Sequence, residues 1–291
     1  MVLTIESVGV VGCGLMGSGI VQISAVAGFP VTVVEADAGA LEKGLGRIQG
    51  SLKKLTEKGI LTADAAAAAF GRITKSGNVA DLKDRDLIVE AIVEDLGVKK
   101  KLFETLGKVT KPTAILASNT SSFPIGEMGQ ASGRPQNMVG LHFFNPVQLM
   151  KLVEVVKTKA TAPDVFAAAR AFATKVGKTP VSASDTPGFI VNRLLVPYLA
   201  EALRMLERGE ATKEDIDTAM MLGTGHPMGP ITLLDYVGLD TTLFILEGWH
   251  RRFPDNDLFD PPKLLREMVE KGQLGRKSGR GFYEWDGDKR K

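Results

Sequence analysis

Ile5-Glu6-Ser7-Val8-Gly9-Val10-Val11-Gly12-Cys13-Gly14-Leu15-Met16-Gly17 joins a short β-rich run to a G-x-G-x-x-G turn. A helix-like segment follows over 16–27, carrying Ile20, Ile23 and Val26 along one face, and Gly28 stands where that helix would stop. Val31-Thr32-Val33-Val34 is a second strand-forming run, with Glu35 at its end. Strand, glycine turn, helix, strand and an acidic residue about twenty positions past the turn are the parts of a dinucleotide-binding unit. Each part has a physical reason. Gly12 makes the tight turn, Gly14 lets the backbone reach a pyrophosphate, and Gly17 allows helix and strand to pack closely. The helix N-terminus faces the phosphate charge. A carboxylate at Glu35 can accept from both ribose hydroxyls and repels a 2′-phosphate, which favours NAD over NADP. Arg47, on the following helix, does not overturn that preference.

The alternation continues outward from this unit. A glycine-bearing helix is expected over 40–55 and an alanine-rich one over 63–70. Ile73-Thr74 and Leu87-Ile88-Val89-Glu90-Ala91-Ile92-Val93 read as strands, the second nearly continuous and therefore central and parallel. Glu94 and Asp95 close it, at the strand end where open α/β sheets bind ligands. A helix over 98–109 and a strand over 114–117 lead into Ser118-Asn119-Thr120-Ser121-Ser122. That hydroxyl-rich loop either caps the next helix or offers hydrogen bonds to a substrate. A helix over 163–176 and a last strand, Pro180-Val181-Ser182, complete the pattern. Asp185-Thr186-Pro187-Gly188 marks the boundary, beyond which strands disappear and helices are expected over 189–208, 212–221, 231–247 and 261–272. The expected architecture is α/β, with an N-terminal Rossmann-type dinucleotide-binding domain over 1–185. A C-terminal all-helical domain over 186–291 would pair with a second copy of the chain.

A second stretch carries candidate chemistry. His142-Phe143-Phe144-Asn145-Pro146 ends one apolar run that begins at Met138, and Leu152-Val153-Glu154-Val155-Val156 forms another. A carboxylate among valines is expensive to bury unless something pairs with it. If the two strands lie side by side, Glu154 can meet His142 and fix its tautomer, making the imidazole a general base. The other reading is a structural histidine and a glutamate at a solvated strand edge, and these residues alone leave both open. A dinucleotide domain narrows the chemistry to hydride transfer, which needs a base for the alcohol proton. His142 is the one histidine with a nearby carboxylate, whereas His226 and His250 read as loop or surface residues.

Composition bounds the remaining classes. The chain has 291 residues, 44% hydrophobic and 24% charged, with a net charge of +2, which leaves no electrostatic footprint for nucleic acid or an anionic membrane. Lys99-Lys100-Lys101 and the stretch holding Ser51, Lys53, Lys54 and Lys58 read as solvated faces. The single cysteine, Cys13, cannot form an internal disulfide or a thiolate metal site, so no metal is expected and a reducing compartment fits, by default the cytoplasm. No apolar run has the length of a membrane span, and Ile5 to Val11 is too short for a signal peptide.

Together these motifs resemble the short-chain L-3-hydroxyacyl-CoA dehydrogenases, and within them the 3-hydroxybutyryl-CoA dehydrogenases, over essentially the whole chain. The resemblance rests on Gly12–Gly17, Glu90-Ala91-Ile92-Val93-Glu94, Ser118–Ser122 and His142–Pro146. It extends to Asp185-Thr186-Pro187-Gly188-Phe189-Ile190-Val191-Asn192-Arg193 and Gly275-Arg276-Lys277-Ser278-Gly279-Arg280-Gly281-Phe282-Tyr283. It implies His142 as the base with Glu154 as its partner, and Ser121 and Asn192 as holders of the substrate. It further implies NAD contacts from Gly12, Cys13, Gly14, Leu15, Met16, Gly17, Glu35, Glu94, Lys99, Ser121, Asn145 and Lys277. Ser51 and Lys58 would contact the CoA portion of an acyl-CoA substrate. Glu35 departs from the aspartate of many relatives, which leaves strictness for NAD open. Two other classes stay in view: a dehydrogenase of free hydroxy or sugar acids, and a crystallin-like structural relative. The family's longer fusions to a hydratase are not expected at this length.

Overall fold

The computed structural model describes residues 3–291, which divide into two compact units meeting in the chain between Phe189 and Ile190. The first begins β1 (Val8–Val11), α1 (Leu15–Val26), β2 (Val31–Val34), α2 (Ala38–Glu57), α3 (Ala63–Gly71), β3 (Ile73–Ser76). It continues β4 (Leu87–Glu90), α4 (Leu96–Val109), β5 (Ile115–Ser118), α5 (Ile125–Ala131), β6 (Met138–Phe143), β7 (Leu152–Lys157), α6 (Pro163–Lys175), β8 (Thr179–Ser184). The eight strands form one sheet in the order β3-β2-β1-β4-β5-β6-β7-β8. Every neighbouring pair is parallel except β6 and β7, which are antiparallel. The order reverses beside β1, where β2 and β4 flank it and the connecting helices go to opposite faces; ligands of open α/β sheets bind outside the strand ends at such a point.

Period-two alternation feeds both faces. Val8, Val10, Val31, Val33, Leu87 and Val89 pack with α1, α2, α3 and α6. Val11, Val34, Ile88 and Leu116 pack with Phe103 and Leu106 of α4 and Ile125 and Met128 of α5. Fully burying a side chain such as Phe103 is worth about 1.5–3 kcal/mol. Gly28, with φ +94°, ends α1 as expected, and the Asp37, Thr62 and Asp95 side chains cap α2, α3 and α4 by accepting from Ala40, Ala65 and Val98 N–H groups.

The second unit comprises α7 (Val191–Glu207), α8 (Lys213–Thr224), α9 (Pro230–Val237), α10 (Leu239–Arg252) and α11 (Lys263–Glu270), with its own core around Leu199, Leu203, Ile231, Leu234, Leu246 and Trp249. Thr212 caps α8, its side chain accepting from Asp215 N–H. Two expectations are corrected here. The single helix over 231–247 is two helices, because Gly238 adopts φ +98°, outside any helix, and a Cβ there would meet Asp240 and Lys277. Strands do not vanish after Asp185: β9 (Trp285–Asp286) and β10 (Lys289–Arg290) form a two-residue hairpin. The tail is held by Asp235, fully buried, which accepts from the Phe282 and Tyr283 N–H groups and from Trp285 Nε1. Among the described residues, no helix is long and apolar enough to cross a membrane.

Candidate active site

The glycine turn divides its three positions by what surrounds them. A Cβ on Gly12 would lie 2.5 Å from the Ala91 carbonyl oxygen, and its φ of +98° is open to glycine. A Cβ on Gly17 would lie 2.0 Å from the Gly12 carbonyl oxygen. Both glycines are therefore demanded by the protein's own packing. Gly14 is different: a Cβ there meets nothing within 4 Å. The chain itself does not need glycine at this position, so the open space in front of it has the character of a ligand cradle. Gly14 also begins α1 with no side chain capping it, which leaves the first N–H groups available to an anion. These residues fit a dinucleotide.

Glu35, at the end of β2, accepts from Cys13 N–H at 2.9 Å and from Asp37 N–H at 3.3 Å. Arg47 donates to the Cys13 carbonyl at 3.2 Å, so a carboxylate and a guanidinium hold the same loop residue from its two backbone ends. Cys13 is buried, and burial together with the Glu35 charge pushes its thiol up to about 11. Leu15 is exposed beside this loop.

The end of β4 carries a buried ionic cluster. Lys99, 1% exposed, lies 2.5 Å from Glu90 Oε1 and 3.1 Å from Glu94 Oε2. Glu90, itself fully buried, also accepts from Ile92 N–H at 2.8 Å and from the Ser118 hydroxyl at 2.6 Å. The solvated face expected at Lys99-Lys100-Lys101 is thus corrected at its first member, because α4 turns Lys99 onto these two carboxylates. Glu94 gathers the hydroxyl-rich loop: its Oε1 accepts from Thr120 Oγ1 at 2.5 Å, Ser121 N–H at 3.2 Å and Ser122 Oγ at 3.1 Å. Burial pushes the Glu94 carboxyl up, but the Lys99 ammonium and the bonds from Thr120 and Ser121 outweigh it and hold it below its ordinary value. Asn119 accepts from Phe143 N–H at 2.9 Å, tying the same loop to β6.

His142 and Glu154 face each other across β6 and β7 as register partners. Nδ1 and Oε2 are 2.6 Å apart, with His142 5% exposed and Glu154 fully buried. Leu141, Phe143, Val153 and Val155 belong to one core, so alternation turns His142 and Glu154 to the other side of the sheet. With Nδ1 bonded to the carboxylate, the neutral imidazole carries its lone pair on Nε2. The rings of Phe144 and Phe189 pack on it at centroid distances of 4.5 and 5.5 Å. Asn145 is exposed immediately past β6. The loop after it is anchored by Lys178, whose ammonium donates to the carbonyls of Val147 and Met150.

Of the other anticipated residues, Ser51 lies in the second half of α2 and Lys58 is its C-cap. Asn192 lies in the first turn of α7, and Lys277 pairs with Asp240 at 2.6 Å, both within the second unit. The sequence alone assigns no role to Glu90, Asn119, Lys178 or Phe189. Glu90 carried a readable signal, since it is a carboxylate inside an apolar run, as Glu154 is.

Residues 7–186 match the 3-hydroxyacyl-CoA dehydrogenase NAD-binding domain and residues 188–285 the C-terminal domain of the same family. The chain belongs to the 3-hydroxyacyl-CoA dehydrogenase family. It is 50% identical to a probable 3-hydroxybutyryl-CoA dehydrogenase of Deinococcus radiodurans, over 95% of this chain and 99% of the relative. It is 49% identical to the mitochondrial hydroxyacyl-coenzyme A dehydrogenase of Rattus norvegicus, over 97% of this chain and 92% of the relative. The solved (S)-3-hydroxybutyryl-CoA dehydrogenase of Ralstonia eutropha superposes with a TM-score of 0.94 at 40% identity, covering 97% of this chain and all of that one. The glycine turn, the Glu35 carboxylate and the switch point beside β1 thus belong to the NAD-binding domain of an oxidoreductase family.

Proposed function

We propose that this enzyme interconverts (S)-3-hydroxybutyryl-CoA, with related short-chain 3-hydroxyacyl-CoA thioesters, and acetoacetyl-CoA, using His142 as general base and Glu154 as its partner. The observation that carries the mechanism is the 2.6 Å contact between His142 Nδ1 and Glu154 Oε2 at a buried, in-register strand pair. Bound NAD supplies the hydride acceptor for C3 of the substrate. His142 Nε2 takes the 3-hydroxyl proton, and Glu154 stabilises the imidazolium that results. In the reverse direction the imidazolium returns the proton to the developing alkoxide.

The remaining roles are those that the resemblance of the sequence motifs implies. The open space at Gly14 and the free N–H groups of α1 hold the pyrophosphate, and Glu35 receives the ribose hydroxyls in exchange for its bond to Cys13. Glu94 orders the loop that presents Ser121 to substrate and cofactor, and Lys99 acts from behind by fixing Glu94. Asn145 and Lys277 are assigned to the cofactor, Asn192 to the substrate, and Ser51 and Lys58 to its CoA portion. We further propose a homodimer through the second unit, whose surface exposes Leu194, Leu222, Phe244 and Leu258 and holds an apolar cavity of about 280 Å³ lined by Tyr198, Met205, Ile216 and Met220.

The test is NADH consumption with acetoacetyl-CoA, run beside free acetoacetate and repeated with NADPH. Turnover of the thioester alone, with NADH, supports the proposal. Turnover of the free acid moves the enzyme to the hydroxy-acid branch, and silence on both removes the catalytic reading.

A further inference from the structure

Phe189 stands apart among the described residues. It is the one non-glycine residue with a positive φ, +54°, and it follows Gly188, itself at φ +75°. A bulky side chain in this conformation is an outlier that persists only where the surroundings dictate it. The surroundings are specific. Phe189 is 5% exposed, its N–H donates to the Thr186 carbonyl at 3.0 Å, and its ring lies 5.5 Å from the His142 ring at 58°. Asp185, at the head of the same segment, is anchored by accepting from the Ile125 and Gly126 N–H groups at 2.9 and 2.8 Å. A short tethered turn thus forces a left-handed backbone at the residue whose ring touches the imidazole.

We infer that Phe189 is a positioning residue for the proposed base, its strained backbone serving to press an aromatic wall against His142. Glu154 fixes the imidazole through Nδ1, yet one hydrogen bond leaves the ring free to swing about that contact. Phe144, at 4.5 Å and 50°, limits part of the swing, and Phe189 supplies a second wall. The rings also exclude water from the Nδ1–Glu154 bond, where competing water would weaken it. A residue without the ring at 189 would keep the backbone strain, which any Cβ incurs at this φ, and lose this wall.

The inference rests on the His142–Glu154 reading, and the experiment separates the two. Phe189→Leu keeps an apolar side chain and removes the ring, Phe189→Tyr keeps the ring, and His142→Gln removes the base. Each is assayed for kcat and for KM of NADH and acetoacetyl-CoA. Proton NMR follows the strongly downfield Nδ1–H resonance expected of the His142–Glu154 bond. We expect Phe189→Leu to lower kcat by about 10- to 100-fold, as misplacement of a catalytic group does. The KM for NADH should stay within about twofold, the downfield resonance should broaden or vanish, and Phe189→Tyr should restore both. If Phe189→Leu does not fold, Phe189→Met, whose flexible chain fills irregular space, carries the same comparison. A variant with lowered melting temperature but unchanged kcat and resonance overturns the inference and leaves Phe189 as core filling. Retained turnover in His142→Gln instead overturns the dyad itself.

Discussion

Lys99 Nζ and Glu90 Oε1 are 2.5 Å apart with both side chains almost wholly removed from solvent, 1% and 0% exposed. Removing the cation from such a pair strands its carboxylates, here Glu90 together with Glu94. Lys99→Met is therefore expected to cost about 3–5 kcal/mol of stability, the range for breaking buried pairs. Adding Glu90→Gln should recover part of that loss. Urea unfolding of the wild type and the two variants checks both statements, and a single-variant loss below about 1 kcal/mol would contradict the first.

His142→Gln should lower kcat by about 10²- to 10⁴-fold, the span of general acid–base catalysis. Glu154→Gln should fall in the same range, because an amide in place of the carboxylate no longer fixes the productive tautomer. NADH binding, followed by fluorescence titration, should remain near wild type in both. Lost binding with normal turnover per bound enzyme would remove His142 from the chemistry.

Gly14 and Gly17 should part company when replaced by alanine. At Gly14 the added methyl enters open space and the backbone φ of −68° suits alanine, so the protein should fold while its NAD affinity falls by about tenfold or more. At Gly17 the methyl meets the Gly12 carbonyl oxygen at 2.0 Å, and the strain of overpacking should destabilise the fold by about 1–3 kcal/mol. Melting curves with and without NAD distinguish them, and equal behaviour would mean that the open space is not the cofactor's.

Glu35→Ala should narrow the preference for NAD over NADP, since the carboxylate that repels a 2′-phosphate is gone while Arg47 stays on the neighbouring Cys13 carbonyl. The ratio of kcat/KM values for the two cofactors is the readout. An unchanged ratio would place the selectivity elsewhere.

Cys13 gives the pH dependence a sign. Folding raises its thiol from an ordinary 9.0 to about 11, so the folded state favours the protonated form. That contribution is complete below about 9, and it fades as the pH climbs toward 11 and the unfolded thiol ionises first. The urea midpoint should decline across this window more steeply for the wild type than for Cys13→Ala. Parallel declines would show that other groups govern alkaline stability.

Much of the first unit could be read from residues because its signals are local. Valine runs, the glycine turn and Gly28 state their own strands and stops, and Glu154 announces a partner by sitting among valines. Register did the rest, bringing His142 opposite Glu154. What escaped reading depends on direction rather than composition. Lys99 looks like its neighbours Lys100 and Lys101, and only the turn of α4 sends it inward to Glu90. Gly238 sits in a helical pattern, and the break there follows from its φ of +98°, which periodicity does not report. Phe189 reads as one more apolar residue until its backbone and ring contact are seen.

The antiparallel pairing of β6 with β7 gives the enzyme an internal gauge of its own assembly. A slip of one residue in that pair would turn Glu154 to the opposite face and leave His142 without its carboxylate. On the proposed mechanism a mispaired molecule is then slowed as Glu154→Gln is, by about 10²- to 10⁴-fold. On the proposed mechanism, the specific activity of a refolded sample counts how many molecules zipped correctly, while the turnover of each competent one stays constant.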